Sequence, residues 1–396
     1  MSRVLAVALL SAATLGYEIL LVRVFAIEHF HHFAYMAIGV AMLGIGAAGT
    51  FLALAPPRDA AAGERWLPRA ATLTALTLLA SPALAHGVAL DATRLTWDPG
   101  QWSRLAGVYA LLALPFALGA VAVLLALSLE RARPGRLYGA SFIGSGAGAA
   151  LAVAALWILP PDRALALAAP VAGGAALILV RSPLSLAATG LAVVALARPL
   201  WRIVVTPYKG LPQVEAYPEA RRVAERTSPV GWVVAVRAPA FRFAPGLSLA
   251  YSGAFPDQTA LFSDGALTGA LSHWTRNPSA KEMLDWLPTA LPYVLPRRER
   301  VLVVGAGGGT EVWNAAGHGA RRVVALELSP DLVELARRAA PPPGTGFARV
   351  EWVTGDARSY LERSPHRFDP VTLGPSGGLG SSAAGVHALS EDFLHT

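Results

Sequence analysis

A run of glycines between a strand pattern and a helix pattern carries the strongest chemical signal in this sequence. Residues 301–304 are Val-Leu-Val-Val, and Gly305, Gly307 and Gly309 follow at alternate positions. Glycines let a backbone approach a ligand closely, and the amides at the start of the next helix attract a carboxylate or a phosphate. The pattern predicts a nucleotide-type ligand, with a βαβ unit that binds nothing as the alternative.

A second β-type run ends in an acid that suits the same ligand. Residues 322–327 close on Glu327, 22 positions after Gly305, and a carboxylate at that point is placed to bind ribose hydroxyls. Thr310 stands where the dinucleotide fingerprint has Gly or Ala. We therefore favour an S-adenosylmethionine-type ligand over a dinucleotide.

A third β-type run, residues 350–353, leads into Gly355, Asp356 and Ala357. Methyltransferase-like folds keep an acid or an amide beside the adenine at this point, so Asp356 and Ala357 join the predicted cofactor site. The site then draws on three consecutive strand ends, which is where open α/β sheets bind their ligands.

The elements that position these residues lie in the second part of a chain with two contrasting halves. The chain has 396 residues, 54% of them hydrophobic and 15% charged, and a mean hydropathy of +0.47. Only 21 of its 59 Lys, Arg, Asp and Glu residues lie in residues 1–200. This composition excludes a disordered protein and predicts a membrane half followed by a water-soluble half. Cys is absent, which excludes disulfides, thiolate metal sites and Cys nucleophiles.

Apolar runs long enough to cross a bilayer fill the first half. We expect five spans, and residues 164–197 form either two more or one span and a re-entrant piece. Six spans would leave the second half on the side of the N-terminus, and seven would leave it on the other side. The five expected spans are 4–27, 33–55, 70–90, 105–129 and 137–159.

Arginines in two short loops, 56–69 and 130–136, predict the orientation, because basic residues favour the cytoplasmic side. We expect a multi-pass protein of the cytoplasmic (inner) membrane, with the loops, the N-terminus and the soluble half in the cytoplasm.

His29, His31 and His32 lack the spacing of a helical metal site, so no metal is expected. Glycines in two spans predict close helix packing, with a substrate cleft as the alternative; they are Gly39, Gly44, Gly46, Gly49, Gly144, Gly146 and Gly148.

From about residue 203 the sequence changes to short β-type runs, among them 231–236 and 247–251, and then to a helical pattern over 281–296. The predicted fold is a multi-span α-helical membrane region (1–200), a small β-rich subdomain (201–296) and an α/β Rossmann-like domain of the S-adenosylmethionine methyltransferase type (297–396). That last domain has four of the roughly seven strands such a sheet needs. We expect it to be truncated, either as a fragment or because another polypeptide completes it.

The segment from about 207 to 396 resembles the spermidine synthase (polyamine aminopropyltransferase) family, and the whole chain is similar to its membrane-bound branch. The order of several short motifs around the glycine loop supports this resemblance. They are Tyr208-Lys209-Gly210-Leu211, Ser263-Asp264-Gly265, Glu282, Gly305-Ala306-Gly307-Gly308-Gly309, Glu327, Gly355-Asp356-Ala357 and Ala388-Leu389-Ser390-Glu391-Asp392-Phe393.

The resemblance implies transfer of an aminopropyl group from decarboxylated S-adenosylmethionine to putrescine. It also implies that Tyr208, Asp264 and Glu282 bind the substrate. A packed aromatic and a turn residue remain the alternatives for Tyr208 and Asp264, because turn chemistry selects Asp-Gly by itself.

Three departures from the family pattern weaken the expectation of putrescine chemistry. Thr268 replaces a Gln, and Lys281 precedes Glu282 where the family has His. Gly374 stands where the family has the Asp that deprotonates the attacking amine, so the general base is missing. Asp369 lies earlier, at the strand start, and is a poor substitute. The catalytic residue is therefore unknown.

Three hypotheses follow. The first is a membrane-anchored transferase that uses S-adenosylmethionine or its decarboxylated form and moves an aminopropyl or methyl group. The second is a membrane transport or sensor protein with a catalytically inactive synthase-like domain, and the third is a structural relic that binds nothing. Expected partners are the lipid bilayer and a small-molecule amine or membrane-presented substrate, with a homo-oligomer as an option and no nucleic acid.

Overall fold

The chain folds into two units, residues 1–204 and 205–396. The computed structural model of the protein describes residues 2–29, 31–91, 94–130, 132, 134–274, 278–294, 299–342 and 346–374. The closing motif 388–393 and the arginines 131 and 133 lie outside these residues. Each unit has its own apolar core.

The first unit is helical throughout its described part. Five of its helical segments are long and apolar enough to cross a membrane: Ser2–Glu28, Tyr35–Leu54, Gly100–Leu129, Pro134–Ala155 and Pro161–Leu179. The helices are α1 (Ser2–Glu28), α2 (His31–Leu54), α3 (Ala60–His86), α4 (Gly100–Leu129), α5 (Pro134–Ala155), α6 (Pro161–Ala166), α7 (Ala168–Leu179) and α8 (Pro183–Ala197).

The observed helices differ from the predicted spans at 70–90 and at 164–197. The helix over the predicted span 70–90 forms as α3, but it is not among the five most apolar segments, because its inner turns carry four Thr and Ser residues. The ambiguous stretch 164–197 breaks at residues 180–182. It gives one 19-residue segment that could cross a membrane and the shorter α8.

One end of the helical unit is held by Arg3. Its guanidinium pairs with Glu64 in the first turns of α3 and with Glu130 just after α4, the latter at 3.4 Å. The first residues of α1 and α3 therefore lie at the same end as the last residues of α4. Most of the predicted loop 56–69 is wrong as a loop, because its residues 60–69 form the first turns of α3 at this end.

The other end of the unit is organised by Glu28. Its buried carboxylate lies 3.5 Å from His86 Nδ1 at the end of α3 and accepts a hydrogen bond from Val204 N (3.2 Å). Arg3 and Glu28 are separated by nearly the whole length of α1, about 38 Å at the helical rise of 1.5 Å per residue. The chain therefore leaves this unit at the end opposite Arg3.

The glycines of α2 and α5 pack as predicted at three positions only. A Cβ on Gly144 or Gly148 would lie 2.1 or 2.2 Å from carbonyl oxygens of α1, and one on Gly44 would lie 2.6 Å from a carbonyl of α4. Such contacts let helices approach closely in lipid. The other four predicted glycines, Gly39, Gly46, Gly49 and Gly146, have open space at that position.

The second unit begins with a four-stranded antiparallel sheet in the order β1-β2-β3-β4. Strand β2 confirms the predicted run 231–236, whereas the predicted strand 247–251 is wrong. Ser248 forms a turn there, with Tyr251 N donating to its carbonyl oxygen (3.0 Å). The elements are α9 (Gly210–Glu215), β1 (Arg221–Thr227), β2 (Trp232–Arg237), β3 (Asp257–Ser263) and β4 (Ala266–His273).

The predicted helix 281–296 is also wrong. Two 3-10 helices, Pro278–Trp286 and Pro288–Val294, replace it. Pro288 and Pro292 lack the amide that a continuous α-helix requires, and a Pro in the helix interior also clashes with the preceding turn. Met283, Leu284 and Leu287 still pack in the core, but Leu291 and Val294 are exposed.

A parallel sheet in the order β7-β6-β5-β8 completes the described part of the second unit. Its first three strands along the chain match the predicted β-type runs, and a helix follows each of them. The elements are β5 (Arg300–Val304), α10 (Thr310–Gly317), β6 (Arg322–Glu327), α11 (Pro330–Ala339), β7 (Arg349–Thr354), α12 (Ala357–Arg363) and β8 (Val371–Leu373). The β-α-β order explains why the carboxyl ends of the strands meet at one edge.

The position where the chain leaves the helical unit can be tested with single cysteines, because the natural chain has none. Ala55 and Leu200 are exposed and lie towards opposite ends of the bundle. In sealed vesicles we expect a membrane-impermeant maleimide to label one of Ala55→Cys and Leu200→Cys directly and the other only after permeabilisation. Equal labelling of both variants in intact vesicles would contradict this arrangement.

Candidate functional site

The glycine loop joins the end of β5 to the start of α10 at the carboxyl edge of the parallel sheet. Gly305, Gly307 and Gly309 have φ values of +67°, +48° and +88°, which residues with a side chain rarely adopt. Ala306 N donates to Leu326 O (3.1 Å), so the loop is anchored to the neighbouring strand β6. The glycines are therefore required by the path of the backbone.

The loop lies directly against β4 of the antiparallel sheet. A Cβ on Gly308 would lie 2.3 Å from Ala270 O, and one on Gly307 would lie 3.2 Å from Thr268 O. Gly308 thus serves the contact between the two sheets. The same contact brings Thr268, the residue that replaces the family's Gln, to the edge of the predicted cofactor site.

Glu327 closes β6 and turns its carboxylate onto the loop. Oε2 accepts a hydrogen bond from Gly307 N (2.9 Å), and Oε1 accepts one from Ser329 N (3.0 Å). A carboxylate has about four acceptor positions, so this half-buried group keeps the capacity to accept from ribose hydroxyls. The structure places the predicted acid and the predicted loop in contact.

Asp356 is the N-cap of α12. Its Oδ1 accepts a hydrogen bond from Ser359 N (2.9 Å), and this bond holds the pKa of Asp356 below its usual range. Gly355 N donates to Glu327 O (3.0 Å), which puts Asp356 on the same sheet edge as Glu327. Ala357 starts the helix and packs on the apolar cluster beneath it. Capping alone accounts for an acid at position 356, and the contact with adenine stays a prediction.

Asp264 and Gly265 form the tight turn between β3 and β4. Their φ values of +51° and +77° are those that Asp-Gly hairpin turns favour. Asp264 Oδ1 accepts from Trp232 N (2.9 Å), and Asp264 O accepts from Lys209 Nζ (2.7 Å). The turn explains this Asp in structural terms. Through Lys209 it also lies near Tyr208, whose side chain is exposed.

Glu282 lies in the first 3-10 helix and is exposed. Burial raises the pKa of Tyr251, and the nearby charge of Glu282 adds to that rise. The structure thus places Glu282 beside Tyr251, and its role in binding a substrate stays a prediction.

Gly374 follows β8, at the position where the family resemblance implies a general base. A Cβ on Gly374 would lie 2.1 Å from Gly305 O, and Gly374 N donates to Val304 O (2.7 Å). No side chain fits there while the glycine loop keeps this conformation. The missing carboxylate is therefore a consequence of the contact between β8 and the loop.

Asp369 cannot take over that task at this edge. Its backbone N donates to Arg300 O (2.8 Å), which lies at the amino end of β5. Ligands of open parallel sheets bind at the carboxyl ends of the strands. Asp369 therefore lies at the wrong end of its strand for chemistry beside the glycine loop.

Sequence reasoning missed a polar group in the helix that follows the loop. Glu311 is only 6% exposed and Asn314 is fully buried, although both lie on α10 among apolar residues. Burial raises the pKa of Glu311, and hydrogen bonding to Thr289 and Asn314 opposes the rise. The sequence feature that could have revealed them is a pair of polar residues three positions apart in a short, otherwise apolar helix.

Comparison with known proteins agrees with this geometry. Residues 301–376 match the family model described as a methyltransferase domain. The polyamine aminopropyltransferase of Korarchaeum cryptofilum (strain OPF8) is 32% identical over 89 residues, which cover 22% of this chain and 27% of that protein. The chain thus matches about a quarter of the length of this relative.

The loop, the acid at the end of β6 and these matches define the class of the second unit. It contains a methyltransferase-type domain of the S-adenosylmethionine-using transferases. The first unit is helical and contains five segments apolar enough to span a membrane.

The crowding at Gly374 can be tested with a matched pair of variants. Gly374→Ala places a methyl group against Gly305 O, and we expect it to lower the free energy of unfolding by about 1–3 kcal/mol, as overpacking does. Gly355→Ala is the control, because its nearest neighbour would be Leu326 Cδ1 at 3.9 Å. Denaturant unfolding of the purified variants measures both free energies of unfolding. Equal stability of the two variants would show that the loop yields easily and that a carboxylate could be accommodated there.

Proposed function

We propose that this protein is a membrane-anchored transferase. Its second unit would bind S-adenosylmethionine or its decarboxylated form and transfer a methyl or an aminopropyl group. The acceptor would be a small-molecule amine or a substrate presented by the membrane. The apolar helical unit supports the anchoring, and the match to an aminopropyltransferase supports the amine and the decarboxylated cofactor.

The pairing of Glu327 with the glycine loop carries this proposal. Gly307 N and Glu327 Oε2 are 2.9 Å apart at the carboxyl edge of the sheet, in the arrangement that suits a ribose and the chain attached to it. Gly305, Gly309, Asp356 and Ala357 would complete the cofactor site. Tyr208, Asp264 and Glu282 remain candidates for the substrate side.

The chemistry needs one further group that the second unit must provide. When bound, such a cofactor supplies a sulfonium carbon to the acceptor, so that the carbon–sulfur bond breaks, the sulfur keeps the electron pair and an attacking amine releases a proton. A base must take that proton. Gly374 cannot supply this base, so another group of the second unit would have to take the proton.

A transport or sensor protein is the alternative, and one observation favours it. The cofactor loop and Glu327 are intact, whereas the position of the expected base is closed by Gly305 O. A domain built in this way retains binding while losing turnover. Product formation by the purified protein would exclude this alternative.

The side of the membrane bears on the choice between the two functions. A transferase needs its second unit in the compartment that supplies the cofactor, so it requires the end near Leu200 to face the cytoplasm. The arginine-rich end would then face outwards, against the bias that basic loops usually follow. Labelling of Leu200→Cys from the outside would favour the sensor or transport function.

Calorimetric titration of the detergent-purified chain tests cofactor binding directly. We expect saturable binding of S-adenosylmethionine or its decarboxylated form. Glu327→Gln should weaken binding about 10- to 100-fold, because hydrogen bonds to a charged group contribute about 1.5–3 kcal/mol. Glu362→Gln is the matched control, since this exposed acid lies away from the sheet edge on α12.

Thermal unfolding of each variant must accompany the titration, because Glu327 also holds two backbone amides. A folded Glu327→Gln variant that binds as tightly as the natural chain would refute the assigned role of this acid. Failure of the natural chain to bind either compound at millimolar concentration would refute the transferase and leave a structural relic.

A further inference from the structure

Three buried polar atoms beside the glycine loop have no hydrogen-bond partner among the residues that the structure describes. They are Glu311 Oε2, Asn314 Oδ1 and the hydroxyl oxygen of Tyr293. The three side chains are 6%, 0% and 1% exposed. Leaving such groups unsatisfied costs free energy, so their presence calls for an explanation.

The three residues are neighbours in space although they come from two elements. Glu311 and Asn314 lie one turn apart on α10, and Asn314 Nδ2 donates to Thr289 Oγ1 (2.8 Å) on the second 3-10 helix. Burial raises the pKa of Tyr293 to about 12, with the charge of nearby Glu311 as a smaller contribution. The cluster therefore lies between α10 and the 3-10 helix Pro288–Val294.

The cluster is close to the carboxyl edge where the cofactor is expected. Glu311 is two residues beyond Gly309, the last glycine of the loop. Tyr293 also lies near Thr372 of β8, two residues before Gly374, which touches Gly305. The three atoms therefore lie close to the predicted cofactor site.

The chemistry of the cluster indicates its ligand. A carboxylate oxygen and an amide oxygen accept hydrogen bonds, and a phenol oxygen can accept one as well. A primary ammonium group carries three donors and one positive charge, so it would satisfy all three atoms and compensate the buried carboxylate. A carboxylate or phosphate would instead be repelled by Glu311.

We propose that Glu311, Asn314 and Tyr293 form a binding pocket for a primary alkylammonium group. This pocket rests on the proposed transferase function and deepens it. The group is either the end of the aminopropyl chain of a decarboxylated cofactor or one amine of the acceptor. In both cases Glu311 determines specificity, because it favours an amine without an adjacent carboxylate.

Titrations of the full-length chain in detergent distinguish the two sources. The probes are decarboxylated S-adenosylmethionine, putrescine, and 5′-methylthioadenosine, which has the nucleoside thioether without an amine. We expect Glu311→Gln to weaken the binding of one ammonium probe about 10- to 100-fold, the range expected for a charged hydrogen bond. It should leave 5′-methylthioadenosine unaffected. Weaker binding of decarboxylated S-adenosylmethionine would assign the pocket to the aminopropyl chain of the cofactor. Weaker binding of putrescine would assign it to the acceptor.

Tyr293→Phe is the second variant, because it removes the buried hydroxyl and keeps the ring. We expect the affinity for the same ammonium probe to fall several-fold. Both variants should melt at or above the temperature of the natural chain, since Glu311→Gln removes a buried negative charge and Tyr293→Phe removes a buried hydroxyl. Glu362→Gln is the control for the loss of a negative charge.

Three results would overturn the pocket. If 5′-methylthioadenosine binds and Glu311→Gln changes neither ammonium probe, the pocket is wrong while the cofactor site stands. A lower melting temperature of Glu311→Gln with unchanged ligand preference would identify a structural carboxylate. If the natural chain binds none of the three probes, the transferase function fails and the pocket fails with it.

Discussion

The second unit depends on a single crowded point, the glycine loop at the end of β5. Three neighbours approach its backbone from different sides: Glu327 holds Gly307 N, Ala270 O lies against Gly308, and Gly374 lies against Gly305 O. Together these contacts force a path that only glycine follows with ease. These contacts also join the two sheets of the second unit at the edge where a ligand would bind. The same close packing therefore shapes both the tight loop and the predicted cofactor site.

The same constraint separates binding from chemistry. Because β8 must end in Gly374 for the loop to hold its shape, the sheet edge keeps its cofactor features and gives up the expected base. An acidic side chain is found instead at the buried Glu311, in the first turn of α10, and its Oε2 has no hydrogen-bond partner among the described residues. Glu311 keeps hydrogen bonds to Thr289 and Asn314, so the proposed ammonium pocket rests on its remaining oxygen, Oε2.

The sequence predicts the parallel strands well and the packing between elements poorly. The runs at 301–304, 322–327 and 350–353 are confirmed, because a buried parallel strand is an apolar run that glycine or an acid ends. The helix over 281–296 fails because two prolines outweigh its apolar spacing. The pocket around Glu311 escapes notice since Tyr293 is 18 residues away and meets it only in the folded chain. Gly374 is visible as a departure, yet its cause, the contact with Gly305 O, is purely tertiary.

Hydrogen exchange of the loop amides tests the central claim most directly. The purified chain would be exchanged with and without saturating S-adenosylmethionine or its decarboxylated form, and peptides covering 300–330 would be analysed by mass spectrometry. The account predicts slower exchange in the peptides that contain residues 305–311 and 327–329, with little change in the antiparallel strand β1. Unchanged exchange throughout 300–330 at saturating ligand would contradict a cofactor site built on the glycine loop and Glu327.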